Sequence, residues 1–202
     1  RAMADDARTR EYQIKAAFLY NFFKFIDSER LRQSNDKERK DADPNAPLVI
    51  GILGKPPAAD AFETLRGKKV GDRPVAVKTF KGFAELQTTD EKAPERHPDL
   101  TVIKNCHVLF VCPSEKAFLE KILAPLRTES VLTVGDVPGF LEEGGIINFV
   151  VEERNVRFEI NTAAAVRESK AGRVEFRMDR HGNVNVPFGK VSFAAENLEA
   201  NA

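Results

Sequence analysis

The apolar residues of this 202-residue chain begin with a helical pattern. Over residues 10–28 they recur at the spacing of one helix face, and Thr9 stands where an N-cap residue belongs. This spacing predicts an amphipathic helix over about residues 10–28. Its apolar stripe consists of Ile14, Ala17, Phe18, Phe22, Phe25 and Ile26.

Short apolar segments then alternate with helical ones. We predict strands at Leu48–Leu53, Arg73–Phe80, 106–111 and 131–134, and helices at 58–65 and 115–126, the latter capped by Ser114. Strands that alternate with helices are typical of doubly wound α/β proteins. The predicted fold class is therefore α/β, with a mostly parallel sheet flanked by helices in a Rossmann-like topology.

A strand–turn–strand unit follows near residue 150. Residues 145–151 and Asn155–Ile160 are apolar or alternating, and the charged residues 152–154 separate them. We expect this pair to join the sheet at its edge. Arg157 and Glu159 share one face of the second strand, and that face is either solvated or an interface.

The turn before this unit spans residues 135–139, where Gly and Pro break regular structure. Asp136 lies in it, and an Asx-type turn bond accounts for this residue better than a solitary acid does. Gly144 and Gly145 follow; they either end a helix or let a partner backbone approach closely.

The carboxyl-terminal part has a pattern of its own. Residues 173–179 alternate, residues 184–193 are extended, and a Gly-containing turn at 180–183 joins them. This pattern predicts a β-hairpin followed by a short helix. We therefore expect an α/β domain over residues 10–165 and a small appendage over residues 166–202.

Charge and hydropathy limit the classes of partner. Lys and Arg together number 31, as do Asp and Glu, so the chain as a whole has no basic field for nucleic acid or anionic membrane. Its most apolar segment, residues 16–26, is too short to span a bilayer, which predicts no direct membrane insertion. Ala2-Met3-Ala4 has the small-x-small pattern of a signal peptide that has already been removed.

The sequence contains no pattern typical of a catalytic or metal site. His97, His107 and His181 are scattered, without Cys or His at ligand spacing. Residues 51–55 follow a strand but lack both common phosphate-loop patterns. We therefore expect no enzyme activity, no metal and no cofactor.

The two cysteines are predicted not to form a disulfide bond with each other. If residues 106–112 form a strand, the Cα atoms of Cys106 and Cys112 lie about 20 Å apart. A disulfide tolerates at most ~7 Å, so they do not bridge. Both fit the role of buried, small apolar residues.

Three motifs resemble the YfiR family of bacterial periplasmic regulators. They lie at residues 15–25 (KAAFLYNFFKF), 134–149 (VGDVPGFLEEGGIINF) and 157–161 (RFEIN). The resemblance implies a small periplasmic α/β protein that represses a membrane-bound cyclic-di-GMP synthase by binding its periplasmic domain. Two features depart from the family: a Trp after the first helix is replaced by Asp27-Ser28-Glu29, and the paired redox-sensitive cysteines lie elsewhere in the family.

From the resemblance and the edge pair together, we predict that the first helix and residues 136–161 recognise a membrane sensor protein, such as the periplasmic domain of a diguanylate cyclase. A homodimer is left open. The predicted partner-binding residues are Phe18, Phe22, Phe25, Asp136, Phe140, Gly144, Gly145, Phe149, Arg157, Glu159 and Asn161.

Residues 165–202 instead resemble the carboxyl-terminal region of ribosomal large-subunit protein one. The matching segments are 170–172, 174–177, 179–182 and 187–193. This gives an alternative function, RNA association through Arg173, Arg177, Arg180 and Lys190. A second alternative is a periplasmic module that binds a small ligand.

Overall fold

The structure is a computed structural model that describes residues 2–23, 46–87, 94–152, 155–161 and 163–164. The carboxyl-terminal hairpin, its four basic residues and Phe25 lie outside the described residues. The described part contains one seven-stranded sheet. Its strands are β1 (Leu48–Leu53), β2 (Lys69–Val70), β3 (Arg73–Phe80), β4 (Val108–Val111), β5 (Leu132–Gly135), β6 (Ile147–Glu152) and β7 (Asn155–Ile160).

The strand order is β2-β3-β1-β4-β5-β6-β7. The five central strands are parallel, whereas β2 and β7 pair antiparallel with their neighbours. The parallel strands therefore follow the order 2-1-3-4-5 of flavodoxin-like proteins. The predicted α/β class is confirmed, and the parallel arrangement holds for the centre of the sheet but not for its two edges.

Apolar residues cover the sheet on both faces. Along β1, Leu48, Ile50 and Ile52 belong to one buried cluster, and Leu53 belongs to the other. Successive strand residues point to opposite faces, so a continuously apolar strand is one that is buried on both sides. The α-helices among the described residues are α1 (Ala2–Phe22), α2 (Asp60–Glu63), α3 (Phe83–Leu86), α4 (Leu100–Ile103) and α5 (Leu119–Leu123). Helices α1 and α2 cover the first face, and the others cover the second.

Helix α1 begins eight residues before the predicted start, and Thr9 lies inside it rather than capping it. Its first residues lack an apolar stripe, but they include Ala, Met and Arg, which are strong helix formers. Arg10 and Asp6 also form an i,i+4 ion pair at 3.5 Å. Propensity thus extends the helix beyond the part that packing requires.

The helix predicted over residues 115–126 is interrupted. It consists of a 3₁₀ helix (Pro113–Phe118), α5 and a second 3₁₀ helix (Ala124–Leu126). Ser114 does not cap it: its hydroxyl donates to Glu115 at 2.8 Å and accepts from the Lys55 amide at 3.0 Å. Pro125 lacks an amide donor, which favours a short final turn over a continued α-helix.

Both cysteines are free and fully buried, on opposite faces of the sheet. Burial raises the pKa of the Cys106 thiol to about 12 and that of the Cys112 thiol beyond its usual range. The reactive thiolate is therefore scarce at neutral pH. The predicted role as small apolar residues agrees with this environment.

Candidate partner-binding surface

Strands β6 and β7 form a hairpin that extends past the rest of the sheet. All six residues of β6 pair with β7, but only Ile147 and Asn148 pair with β5. The remainder of β6 therefore lies beyond the end of β5. Strand β7 is the outermost strand of the described sheet. The β6–β7 hairpin therefore has one strand edge and one sheet face that another protein could contact.

The inner face of this hairpin packs on α1 through aromatic rings. The Phe22 ring lies 5.9 Å from the Phe149 ring and 5.2 Å from the Phe158 ring, and Phe18 lies 5.4 Å from Phe158. Phe22 and Phe149 are 1% and 2% exposed, whereas Phe18 is half-buried. Phe22 and Phe149 therefore support the hairpin and are not accessible to a partner, which revises their predicted role.

The outer face of the hairpin is polar and accessible. Glu152 and Arg157 form an ion pair at 3.2 Å, with side chains 49% and 45% exposed. Val150 lies opposite Arg157, and Glu159 is half-buried on the same face. Val151, near the turn, is 50% exposed but lies on the opposite face, the one that carries Phe149. The outer face combines the partly exposed Val150 with charges of both signs, as protein interfaces do.

The turn between β5 and β6 is built around one buried ring. Phe140 is 0% exposed and lies between Gly135 and Gly145. A Cβ atom at Gly135 would lie 2.4 Å from the Phe140 ring, and one at Gly145 would lie 2.2 Å from it. The two glycines are therefore required for this close approach. Phe140 and Gly145 are core residues, which revises their predicted contact role.

Two asparagines hold the same turn through backbone hydrogen bonds. The Asn148 carbonyl oxygen accepts from the Val137 amide at 3.1 Å. The Asn161 side chain donates to the Leu141 carbonyl at 2.8 Å and accepts from the Ala164 amide at 2.9 Å. Gly144 has φ 94°, a left-handed conformation that favours glycine. Asn161 and Gly144 thus fix the loop, and both remain partly exposed.

Asp136 joins this turn to α1. Its carboxylate accepts from the Tyr12 hydroxyl at 2.6 Å and from the Lys15 ammonium at 2.7 Å, and Lys15 also donates to Glu11. Lys15 is 1% exposed and Asp136 17%. Burial, and then the Asp136 carboxylate, raise the pKa of Tyr12 above its usual range. Asp136 therefore attaches α1 to this turn. The sequence analysis predicted only a turn bond and a partner contact for this residue.

The Tyr12–Lys15–Asp136 cluster was missed from sequence. Asp136 is more than 120 positions from both Tyr12 and Lys15, so no local spacing reveals the cluster. One signal was available: Lys15 follows Ile14 and precedes Ala16 within the apolar stretch of the helix, where a charge requires a partner.

The two described histidines have structural hydrogen bonds. His97 Nδ1 accepts from the Asp99 amide at 3.0 Å, and its Nε2 lies 2.6 Å from the Lys81 carbonyl. His107 Nδ1 accepts from the Val49 amide at 3.1 Å. Among the described residues, no group of three or more Cys, His, Asp or Glu is arranged to hold a metal. Within the same residues, no helix combines the length and hydropathy needed to cross a bilayer.

Comparison with known proteins places similarity in two parts of the chain. A family model described as YfiR/HmsC-like matches residues 12–169. The segment predicted to resemble a ribosomal protein is similar, over a shorter length, to large ribosomal subunit protein uL1. The protein from Gemmatimonas aurantiaca is 56% identical over 46 residues, and that from Chlorobium chlorochromatii is 52% identical over 42. These matches cover 23% and 21% of this chain, and only 19% and 18% of the ribosomal proteins.

Proposed function

We propose that this chain, which belongs to the YfiR/HmsC-like family, restrains a membrane-bound cyclic-di-GMP synthase by binding the periplasmic domain of that enzyme. The family is one of periplasmic, non-catalytic regulators in cyclic-di-GMP signalling. The choice of a synthase as partner, and of repression as the outcome, is our proposal.

The projecting β6–β7 hairpin carries this proposal. An unpaired strand edge is a template for pairing with another chain, and strand addition is a common mode of recognition. β7 offers such an edge among the described strands, and Arg157 and Glu159 lie beside it on the outer face. Backbone pairing then supplies affinity, and the charges supply specificity.

The buried phenylalanines explain why this surface is suited to restrain a partner. Phe22 packs against both strands of the hairpin, and Phe140 fixes the turn that leads into it. A rigid surface loses little conformational entropy on binding. It also favours only those partner conformations that match it, which is how binding shifts a signalling equilibrium. Helix α1 thus acts as support, with its exposed Ile14 available for peripheral contact.

A double charge reversal tests the surface. Arg157→Glu with Glu159→Lys is expected to weaken binding to the synthase periplasmic domain at least tenfold, because partner charges then face like charges. Affinity is measured by biolayer interferometry. Cyclic-di-GMP should rise in cells that lack the native gene and carry this variant. Arg66→Glu, at an exposed ion pair with Glu63 at 2.8 Å, is the matched control. Wild-type affinity and cyclic-di-GMP in the double variant would contradict the proposal.

A second candidate function is RNA association, favoured by the similarity to uL1 proteins. It would use Arg173, Arg177, Arg180 and Lys190, which lie outside the described residues. If so, RNA affinity falls steeply with salt, and replacing the four residues with Gln removes most of it. A gel-shift titration at two salt concentrations checks this. Affinity that is absent, or unchanged in the four-residue variant, would eliminate the candidate.

A further inference from the structure

A cavity of about 300 Å³ lies on the sheet face opposite α1. Its walls come from the end of β1, from α3 to α5, and from the segment that precedes α4. The apolar wall includes Leu53, Phe83, Ile103, Ile122 and Leu126, each at most 4% exposed. No residue of the proposed partner-binding surface lines it.

The wall is fixed by contacts of its own. The Phe83 ring stacks on Phe118 at 5.7 Å and meets the His97 ring edge-on at 5.4 Å. His97 in turn bridges the Lys81 carbonyl and the Asp99 amide. The space is a cleft that opens to solvent at one side and has a buried, apolar wall, which is the usual form of a small-molecule site. Such a space favours an apolar ligand over water.

Charge at the rim narrows the class of ligand. Arg96, Lys121 and Glu95 line the opening, and all three are exposed. Two cations against one anion favour a ligand with a single negative charge. His97 adds apolar ring area there, because both of its ring nitrogens face backbone groups of the protein.

The size of the cavity and the chemistry of its wall narrow the class of ligand further. About 300 Å³ is the lower end of the range for ligand pockets and corresponds to roughly ten water volumes. Phe83 is the one phenyl ring in a wall otherwise dominated by Leu, Ile, Ala and Pro. An aliphatic chain fits this wall better than a planar ring system does. We propose that the cavity binds a medium-chain aliphatic monocarboxylate, with its chain inside and its carboxylate between Arg96 and Lys121.

The probe is octanoate, added to the full-length protein without any partner, so that the result is independent of the proposed synthase interaction. We expect saturable binding by isothermal titration calorimetry and a rise in melting temperature. Octanol, which is neutral, and octylammonium, which is positive, should bind at least fivefold more weakly. Equal binding of all three, or no saturable binding of octanoate at millimolar concentration, would overturn the proposal.

Two variants locate the site. Ala124 lines the cavity from an exposed position, so Ala124→Phe fills the space without disturbing a buried side chain. We expect it to reduce octanoate affinity at least tenfold with an unchanged circular dichroism spectrum. Arg96→Gln with Lys121→Gln changes only exposed residues and should remove the preference for octanoate over octanol. If that double variant keeps the preference, or a folded Ala124→Phe keeps the affinity, the proposed site is wrong.

Discussion

Replacing Lys15 with Met is expected to lower the free energy of unfolding by about 3–5 kcal/mol, the usual cost of removing one partner from a buried ion pair. Lys15 is 1% exposed and donates to both Glu11 and Asp136. Met keeps most of the apolar stem, so the loss arises mainly from the Asp136 carboxylate that is left without its cation. Asp136 retains 17% exposure, which favours the lower end of this range. Urea denaturation followed by circular dichroism measures the change.

Two further variants identify the cause. Arg66→Met removes the cation of an exposed pair, in which Arg66 is 54% exposed, and should leave the unfolding midpoint almost unchanged. Adding Asp136→Asn to Lys15→Met removes the isolated charge and should recover part of the lost stability. If Lys15→Met behaves like Arg66→Met, the cluster does not hold α1 on the sheet.

Truncating Phe140 is the second change with a large expected effect. Phe140→Ala should lower the free energy of unfolding by about 3–5 kcal/mol, because it removes a fully buried ring and leaves a cavity. The same denaturation experiment measures it. Phe118→Ala is the matched control: Phe118 is half-buried, so its truncation should cost roughly half as much.

This measurement also separates two roles for Phe140. The motif resemblance assigned it to partner contact, whereas the structure places its ring between two glycines inside the turn. A contact residue would lose partner affinity on truncation and keep its stability. If Phe140→Ala leaves the unfolding midpoint unchanged but abolishes binding, the ring is accessible to the partner and its assignment to the core is wrong.

The strands were the most predictable part of the fold. β1, β3 and β7 have the predicted bounds because an apolar run or an alternation directly reflects strand burial. The start of α1 was not predictable from an apolar stripe, since it depends on propensity and on the Asp6–Arg10 pair. The interruption of the helix predicted over residues 115–126 was also not predictable, because the Ser114 hydroxyl bonds to Glu115 and to the Lys55 amide instead of capping a helix, and Pro125 favours a short final turn.

The surface was less predictable than the fold. A phenylalanine at helical spacing fits a core and a contact surface equally well, and only the packing of α1 on the hairpin shows that Phe22 belongs to the core. Arg157 and Glu159 were correctly placed on one face of a strand, because alternation is a local property. The pairing of Lys15 with Asp136 joins distant parts of the chain, and no local pattern encodes it.

That same pairing determines when the protein can acquire its native structure. Helix α1 is near the start of the described chain, yet its ring partner Phe158 and its charge partner Asp136 come near the end. Contacts of such high sequence separation raise contact order, and the entropy of closing so long a loop is lost before they form. The helix cannot complete its packing on the hairpin until β7, the last of the described strands, is available to supply Phe158. Its docking therefore belongs to a late stage of folding.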